Sequence, residues 1–122
     1  MLTIITLALA SCIDYPNEFK QAIGKELTFT PHKSETAVSV KEETLREIKT
    51  WFIENSDKWG RSSTTYSPSK DTLRNPNITI YIYQNLMVVN MKKSDGDWVQ
   101  VSRKIDSNEI GFLEKLRQIR VI

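Results

Sequence analysis

Hydrophobic and polar residues alternate along most of residues 77–103, which is the period of a β-strand. Two turn-forming segments, Gln84-Asn85 and Ser94-Asp95-Gly96, divide this stretch into three strands. If the first segment forms a two-residue loop and the second a three-residue loop, apolar residues lie opposite one another in the paired strands. The expected pairs are Ile80 with Val89, Ile82 with Met87, Met91 with Val99, and Val89 with Val101. We therefore predict a three-stranded antiparallel meander over about 77–103.

A second pattern, with apolar residues three or four positions apart, precedes the meander and is typical of a helix. Leu45, Ile48 and Phe52 follow this spacing and predict a helix over about 40–55. The sequence Ser39-Val40-Lys41-Glu42 has the form of a capping box, in which the serine and the glutamate satisfy backbone N–H groups at the helix start. We expect this helix to bury its apolar side against the sheet.

The same helical spacing returns after the meander. Asp106 and Glu109 have the form of a second capping box, and the helix that they introduce is expected over about 107–120. Its apolar positions are Ile110, Leu113, Leu116 and Ile119. Two helices around antiparallel strands indicate the α+β class, as a small two-layer domain with both helices on the isoleucine–valine face of the sheet.

The remaining segments carry weaker patterns. Residues 12–25 are polar with scattered apolar positions, and are either a tether or a short helix over Asn17–Ile23 that ends at Gly24. Glu26–Thr30 alternates and is a further candidate strand. Residues 61–76 are rich in Ser, Thr and Pro, and are predicted to be a loop.

The first residues of the chain are uncharged and apolar over Leu2–Ala10, and no apolar run reaches the length of a transmembrane helix. Leu9-Ala10-Ser11-Cys12 resembles the lipobox of bacterial lipoproteins at every position. The alternative interpretation is a buried N-terminal strand or helix that ends in a core cysteine, in a soluble cytoplasmic domain.

The resemblance implies a signal peptide over 1–11, a lipidated N-terminus and tether over 12–25, and one α+β domain over 26–122. The peptidase of this family cuts before the cysteine, so Cys12 would carry the acyl chains, palmitate among them, and anchor the chain in the lipid bilayer. The domain would then lie in the periplasm of a bacterial envelope. Because Ile13 rather than aspartate follows the cysteine, the outer membrane is favoured over the inner.

The composition offers little for catalysis or for cofactor binding. The chain has 122 residues, 17 basic and 15 acidic, which gives no argument for nucleic acid as a partner. Cys12 and His32 are the single residues of their types, so a zinc site lacks ligands. We expect neither metal nor cofactor, and no enzymatic activity. The alternative is a small envelope hydrolase that uses His32 as a general base.

The aromatic residues of the meander point to a binding surface. If helices cover the isoleucine–valine face, the other face carries the residue types that are enriched at protein interfaces. The candidates for partner binding are Tyr81, Tyr83, Val88, Trp98 and Gln100. Alternatively, residues 26–38 or 61–76 cover this face. The expected function is a protein-binding module, such as an inhibitor, an immunity protein, an assembly factor or an accessory of a secretion apparatus.

Overall fold

A computed structural model describes residues 13–34, 36–62 and 71–119, and it is an α+β fold. Within these residues, seven antiparallel strands form one sheet in the order β2-β1-β4-β5-β6-β7-β3. The helices are α1 (Tyr15–Ile23), α2 (Glu42–Glu54), a 3₁₀ turn (Ser107–Glu109) and α3 (Phe112–Ile119). The strands are β1 (Thr28–Thr30), β2 (Val38–Ser39), β3 (Gly60–Arg61), β4 (Asp71–Asn75), β5 (Ile78–Ile82), β6 (Leu86–Lys92) and β7 (Trp98–Lys104).

The register predicted for the meander is confirmed. Ile80 pairs with Val89, Ile82 with Met87, Met91 with Val99, and Val89 with Val101. At the β6–β7 turn, Gly96 adopts a φ of 94°, in the region that favours glycine. Asp95 accepts hydrogen bonds from the backbone N–H of Asp97 and from Lys93, and the first of these contributes most to holding the pKa of its carboxyl below the usual value. Turn chemistry and apolar alternation therefore specify the same pairing.

The sheet is larger than the predicted three strands. β4 pairs with β5 at the edge of the predicted meander. It lies inside the stretch 61–76, which was expected to be a loop. Residues 63–70 of that stretch lie outside the described residues. β1 pairs with both β2 and β4, which confirms a strand within Glu26–Thr30. The loop prediction was wrong for β4 because Leu73 is the strand's single large apolar residue, so the segment shows no hydrophobic alternation.

The N-terminal segment is part of the fold and not a tether. α1 begins after Asp14, whose side chain caps the helix by accepting from the backbone and the side-chain amide of Asn17. Phe19 and Ile23 of this helix are fully buried in the core. The prediction of a tether over 12–25 is therefore wrong for residues 13–25, and the short-helix alternative is the correct one.

An aromatic cluster joins α1 to α2. The Phe19 ring lies 4.8 Å from the ring of Phe52 and 5.0 Å from that of Trp59, between ring centroids, and it stacks on Tyr15 at 5.7 Å. Burial raises the pKa of the Tyr15 hydroxyl, and the nearby positive charge of Arg61 opposes this effect. These rings therefore join α1 to α2 and to Trp59 in the segment before β3.

The helix predicted from Leu45, Ile48 and Phe52 is confirmed, and these residues are buried as expected. The capping box in front of it does not form. Ser39 lies in β2, and the N-cap residue is Lys41, which makes no side-chain capping bond. Pairing of Ser39 with Thr28 in the sheet thus takes precedence over capping.

The second capping box is confirmed, but it caps a shorter element. Asp106 and Glu109 bond to each other's backbone N–H groups around the 3₁₀ turn. The chain then leaves helical geometry at Ile110, and α3 starts only at Phe112. The single helix predicted over 107–120 is therefore two elements, and its last residue lies outside the described part of the chain. Ile110, Leu113 and Leu116 are buried as the spacing predicts.

Two polar side chains connect distant elements. The side-chain amide of Asn75 donates to the carbonyl oxygens of Ala22, Ile23 and Glu26 at 3.0, 2.9 and 3.1 Å, and its oxygen accepts from the backbone of the β4–β5 turn. The buried Glu18 carboxylate accepts from the backbone N–H and the hydroxyl of Ser94 at 2.9 and 2.7 Å. The first residue fixes the C-terminal end of α1, and the second fixes its N-terminal turn beside the β6–β7 turn.

Candidate functional site

All three helices pack on one face of the sheet, in a core that includes Ile80, Val89 and Val101. The opposite face, called the outer face below, carries the alternate residues of each strand. The registers assign to it Thr28, Thr30, Ser39, Thr72, Arg74, Thr79, Tyr81, Leu86, Val88, Asn90, Lys92, Trp98, Gln100, Ser102 and Lys104. The outer face is thus where sequence reasoning placed a partner-binding surface.

Trp98 is the most distinctive residue of the outer face. Its exposed fraction is 57%, whereas Trp51 and Trp59 are 9% and 8% exposed. The two buried indoles donate their N–H groups to backbone carbonyls, of Glu109 and of Asn55, at 2.9 and 2.8 Å. Trp51 and Trp59 are thereby accounted for as core residues, and Trp98 is not.

The centre of the outer face is not accessible. Val88 is 1% exposed, and Tyr81, which pairs with it, is half-buried. Gln100 is also half-buried, and its side-chain amide donates to the carbonyl oxygen of Ser62 at 3.2 Å. Val88 has no side-chain surface to offer a partner in this conformation, so we remove it from the candidate site. Among the predicted candidates on this face, the side chain that is accessible is that of Trp98.

Tyr83 is separated from the other candidates. It lies beyond the end of β5 and lines a groove of about 480 Å³ together with Ile110, Leu113 and Arg117. Because the strand stops at Ile82, the alternation that assigned Tyr83 to the outer face no longer applies. The structure therefore places Tyr81, Trp98 and Gln100 on the same face of the sheet, in different cross-strand rows, and does not place Tyr83 there.

The candidate general base, His32, is exposed, and its backbone N–H donates to a carboxylate oxygen of Asp71 at 3.1 Å. The other oxygen of Asp71 accepts from the Arg117 guanidinium at 2.8 Å. Asp71 is itself 1% exposed and sits at a core-facing position of β4. This carboxylate thus serves to join β4 to α3 and to the loop after β1.

Arg103 is the other buried charged residue of the sheet. Its guanidinium lies 5.5 Å from the centre of the Trp51 ring, donates to the carbonyl oxygen of Asp57, and pairs with Glu109.

No buried side-chain polar atom of the described residues is without a hydrogen-bond partner. Nor do those residues bring together three or more His, Cys, Asp or Glu side chains that could hold a metal ion.

A second concave surface lies between α2 and α3. This groove has a volume of about 700 Å³, with Trp51 and Phe112 among its lining residues. The groove is lined by charged residues of both signs, and Lys115 pairs with Glu47 across it. The hydrogen bond to Glu47 is the main reason why the pKa of Lys115 is raised. The groove therefore presents a partly neutralised surface.

The chain matches no protein-family model, no curated protein and no solved structure. Cys12 and the rest of the lipobox-like sequence lie outside the described residues. Among residues 13–34, 36–62 and 71–119, no helix combines the length and the apolar character needed to cross a membrane.

Sequence reasoning missed the charge of the outer face. Arg74, Lys92 and Lys104 all lie on it. Lys92 and Lys104 continue the alternation of Asn90 and Gln100, so the strand period was enough to assign both lysines to the outer face. Arg74 could be assigned only once β4 was known.

Proposed function

We propose that this protein is a small lipoprotein of a bacterial envelope, which binds another protein through the Trp98 end of its outer face. The exposure of Trp98 is the observation that carries this proposal. Covering a large exposed aromatic ring with a partner removes apolar area from water, which favours binding. Tryptophan is also strongly enriched among the residues that dominate binding energy at interfaces. The buried charged side chains discussed above are engaged in contacts within the fold, which favours a binding role over hydrolysis.

The anchor is proposed from the resemblance of Leu9-Ala10-Ser11-Cys12 to a lipobox. Ile13 is half-buried and packs against the core, so an acyl chain on Cys12 would attach the domain to the bilayer with almost no linker. Such a short connection restricts which surfaces remain open to a partner.

Lipidation at Cys12 is expected to make membrane attachment resistant to salt washing and sensitive to detergent, because acyl chains are held by burial of their CH₂ groups. A Cys12→Ser variant should lose this behaviour, while Ser11→Ala, which keeps a small residue there, should retain it. Mass spectrometry of the protein isolated from bacterial envelopes measures the modification directly. An intact Met1 together with a free Cys12 thiol would refute the proposed anchor.

A Trp98→Ala substitution is expected to weaken binding to the natural partner by about 2 kcal/mol or more, or about thirtyfold in Kd. Its effect on the free energy of unfolding should stay within about 0.5 kcal/mol, because the side chain is largely solvated. The partner would be isolated from envelope extracts, identified, and titrated against both forms of the protein.

Ile53→Ala is the matched control for this experiment. Ile53 is the other large apolar residue exposed in the described part of the chain, at 39%, and it lies on α2. We expect its truncation to leave the affinity unchanged. If Trp98→Ala binds as tightly as the wild type, the partner does not use the outer face; if it unfolds the domain, Trp98 is a structural residue.

A further inference from the structure

The charged side chains that the described strands direct to the outer face are all cationic. They are Arg74 of β4, Lys92 of β6 and Lys104 of β7, and each is exposed. The same strands direct no aspartate or glutamate to this face, where the other polar residues are threonine, serine, asparagine and glutamine. Because the whole chain has 17 basic and 15 acidic residues, this positive charge reflects segregation on one face.

These three cations also differ from others in the protein in their pairing. Within residues 13–34, 36–62 and 71–119, none of the three forms an ion pair. Four cations elsewhere are paired: Lys93 with Asp95, Arg103 with Glu109, Lys115 with Glu47, and Arg117 with Asp71. The outer-face cations are therefore available to carboxylates of another molecule.

The three cations lie at different distances from the exposed indole. Lys92 lies directly across from Trp98 in the β6–β7 ladder. Arg74 lies in a row that runs across the sheet through Thr79 and Asn90 to Gln100 of β7. Lys104 is at the other end of β7, roughly 20 Å from Trp98 at the usual rise of a strand. The outer face thus combines an apolar side chain, whose burial contributes to affinity, with cations that can attract carboxylates of a partner.

We propose that the outer face docks an acidic protein surface, with Trp98 as the apolar anchor and the three cations facing its carboxylates. This inference rests on the proposed protein-binding function and adds the chemistry of the partner. Opposite charges accelerate association through long-range attraction, so the association rate should fall as ionic strength rises.

The position of the N-terminus favours a protein over an anionic membrane as the acidic partner. The bonds from Ser94 to Glu18 hold the start of α1 beside the β6–β7 turn. Exposed carboxylates of Asp14, Asp95 and Asp97 lie at this end, next to the point where the chain leads to Cys12. Lys92 and Lys93 lie at this end too, so an anchored domain would turn charges of both signs towards the lipid headgroups. Lys104 is at the opposite end of β7, so a bilayer reached through Cys12 would not face all three cations, whereas a protein surface could.

The test uses the full chain in a non-ionic detergent and two defined probes, immobilised poly-L-glutamate and vesicles that contain phosphatidylglycerol. A Lys92→Glu/Lys104→Glu variant removes two outer-face cations. A Lys41→Glu/Arg46→Glu variant makes the same change in net charge at exposed residues at the start of α2 and within it. Melting temperatures of both variants establish that they are folded.

We expect the outer-face variant to lose about tenfold in affinity for poly-L-glutamate, and the α2 variant to lose less than about twofold. The wild-type association rate should fall between low and physiological salt. Equal losses in the two variants would show that net charge alone matters, and absence of wild-type binding would also overturn the proposal. Tighter binding to the phosphatidylglycerol vesicles than to poly-L-glutamate, with the same dependence on Lys92 and Lys104, would identify a lipid surface instead.

This assay requires neither acylation nor the natural partner, so its outcome is separate from that of the proposed function. If Cys12 carries no lipid but poly-L-glutamate binding depends on the outer-face cations, only the anchor is refuted. If Trp98→Ala abolishes capture of the natural partner while Lys92→Glu/Lys104→Glu and added salt leave that capture unchanged, only the acidic character of the partner is refuted.

Discussion

A Phe19→Ala substitution is expected to lower the free energy of unfolding by about 3–5 kcal/mol. The phenyl ring is fully buried and contacts rings contributed by α1, by α2 and by the segment before β3. Its removal leaves a cavity that these elements cannot fill without moving relative to the sheet. Urea unfolding followed by tryptophan fluorescence measures the change, because Trp59 lies against the missing ring.

Ile53→Ala, which also truncates an apolar residue of the helical layer, is the control and should cost under about 1 kcal/mol. A loss of less than about 1 kcal/mol for Phe19→Ala would mean that α1 contributes little to the fold. The segment 13–25 would then act as the tether that the sequence also allowed.

An Asn75→Asp substitution is expected to destabilise the protein by about 3 kcal/mol, although it alters shape very little. The side-chain amide nitrogen lies within 3.1 Å of three carbonyl oxygens. A carboxylate oxygen in its place cannot donate a hydrogen bond and is repelled by all three. Two of those carbonyls belong to the last turn of α1, where the helix dipole adds to the repulsion.

Asn77→Asp is a closely matched control for this prediction. It makes the same chemical change in the same turn, at an exposed residue whose backbone N–H, and not its side chain, bonds to Asn75. We expect it to change the free energy of unfolding by less than about 0.5 kcal/mol. Comparable losses in the two variants would show that added negative charge, rather than the lost donor, causes the effect.

The parts of the fold that sequence predicted are those in which two independent signals agree. The β5–β6 and β6–β7 registers follow both from apolar alternation and from the loop lengths around Gln84-Asn85 and Gly96, and both are correct. The helix 42–54 follows from a stripe of buried residues. In contrast, its predicted capping box relied on the spacing of Ser39 and Glu42 alone, and Ser39 is used by the sheet.

The parts that sequence missed depend on contacts between distant residues. β2 and β3 are two residues long, and a segment of that length has no measurable period. In β4, the core-facing position of Asp71 is stabilised by Arg117 and by the backbone of His32, which are far away in the sequence. A buried carboxylate looks like a loop residue until those partners are known.

The candidate site was predictable to a similar degree. Trp98 and Tyr81 were correctly assigned to the sheet face opposite the helices, because that assignment needs only the register. The burial of Val88 and the position of Tyr83 depend on what lies over the face and on where β5 ends. Neither property is encoded in the alternation of residues along a strand.

The contact between Glu18 and Ser94 has a consequence for how the chain acquires its structure. The two residues are 76 positions apart, so α1 is synthesised long before its docking site exists. Local hairpins such as β5–β6 form rapidly, whereas contacts that close long loops are made late. Until β6 and β7 are complete, the apolar side of α1, with Phe19 and Ile23, remains exposed in the nascent chain. Transiently exposed apolar surface of this kind is prone to aggregation and is what chaperones protect during synthesis.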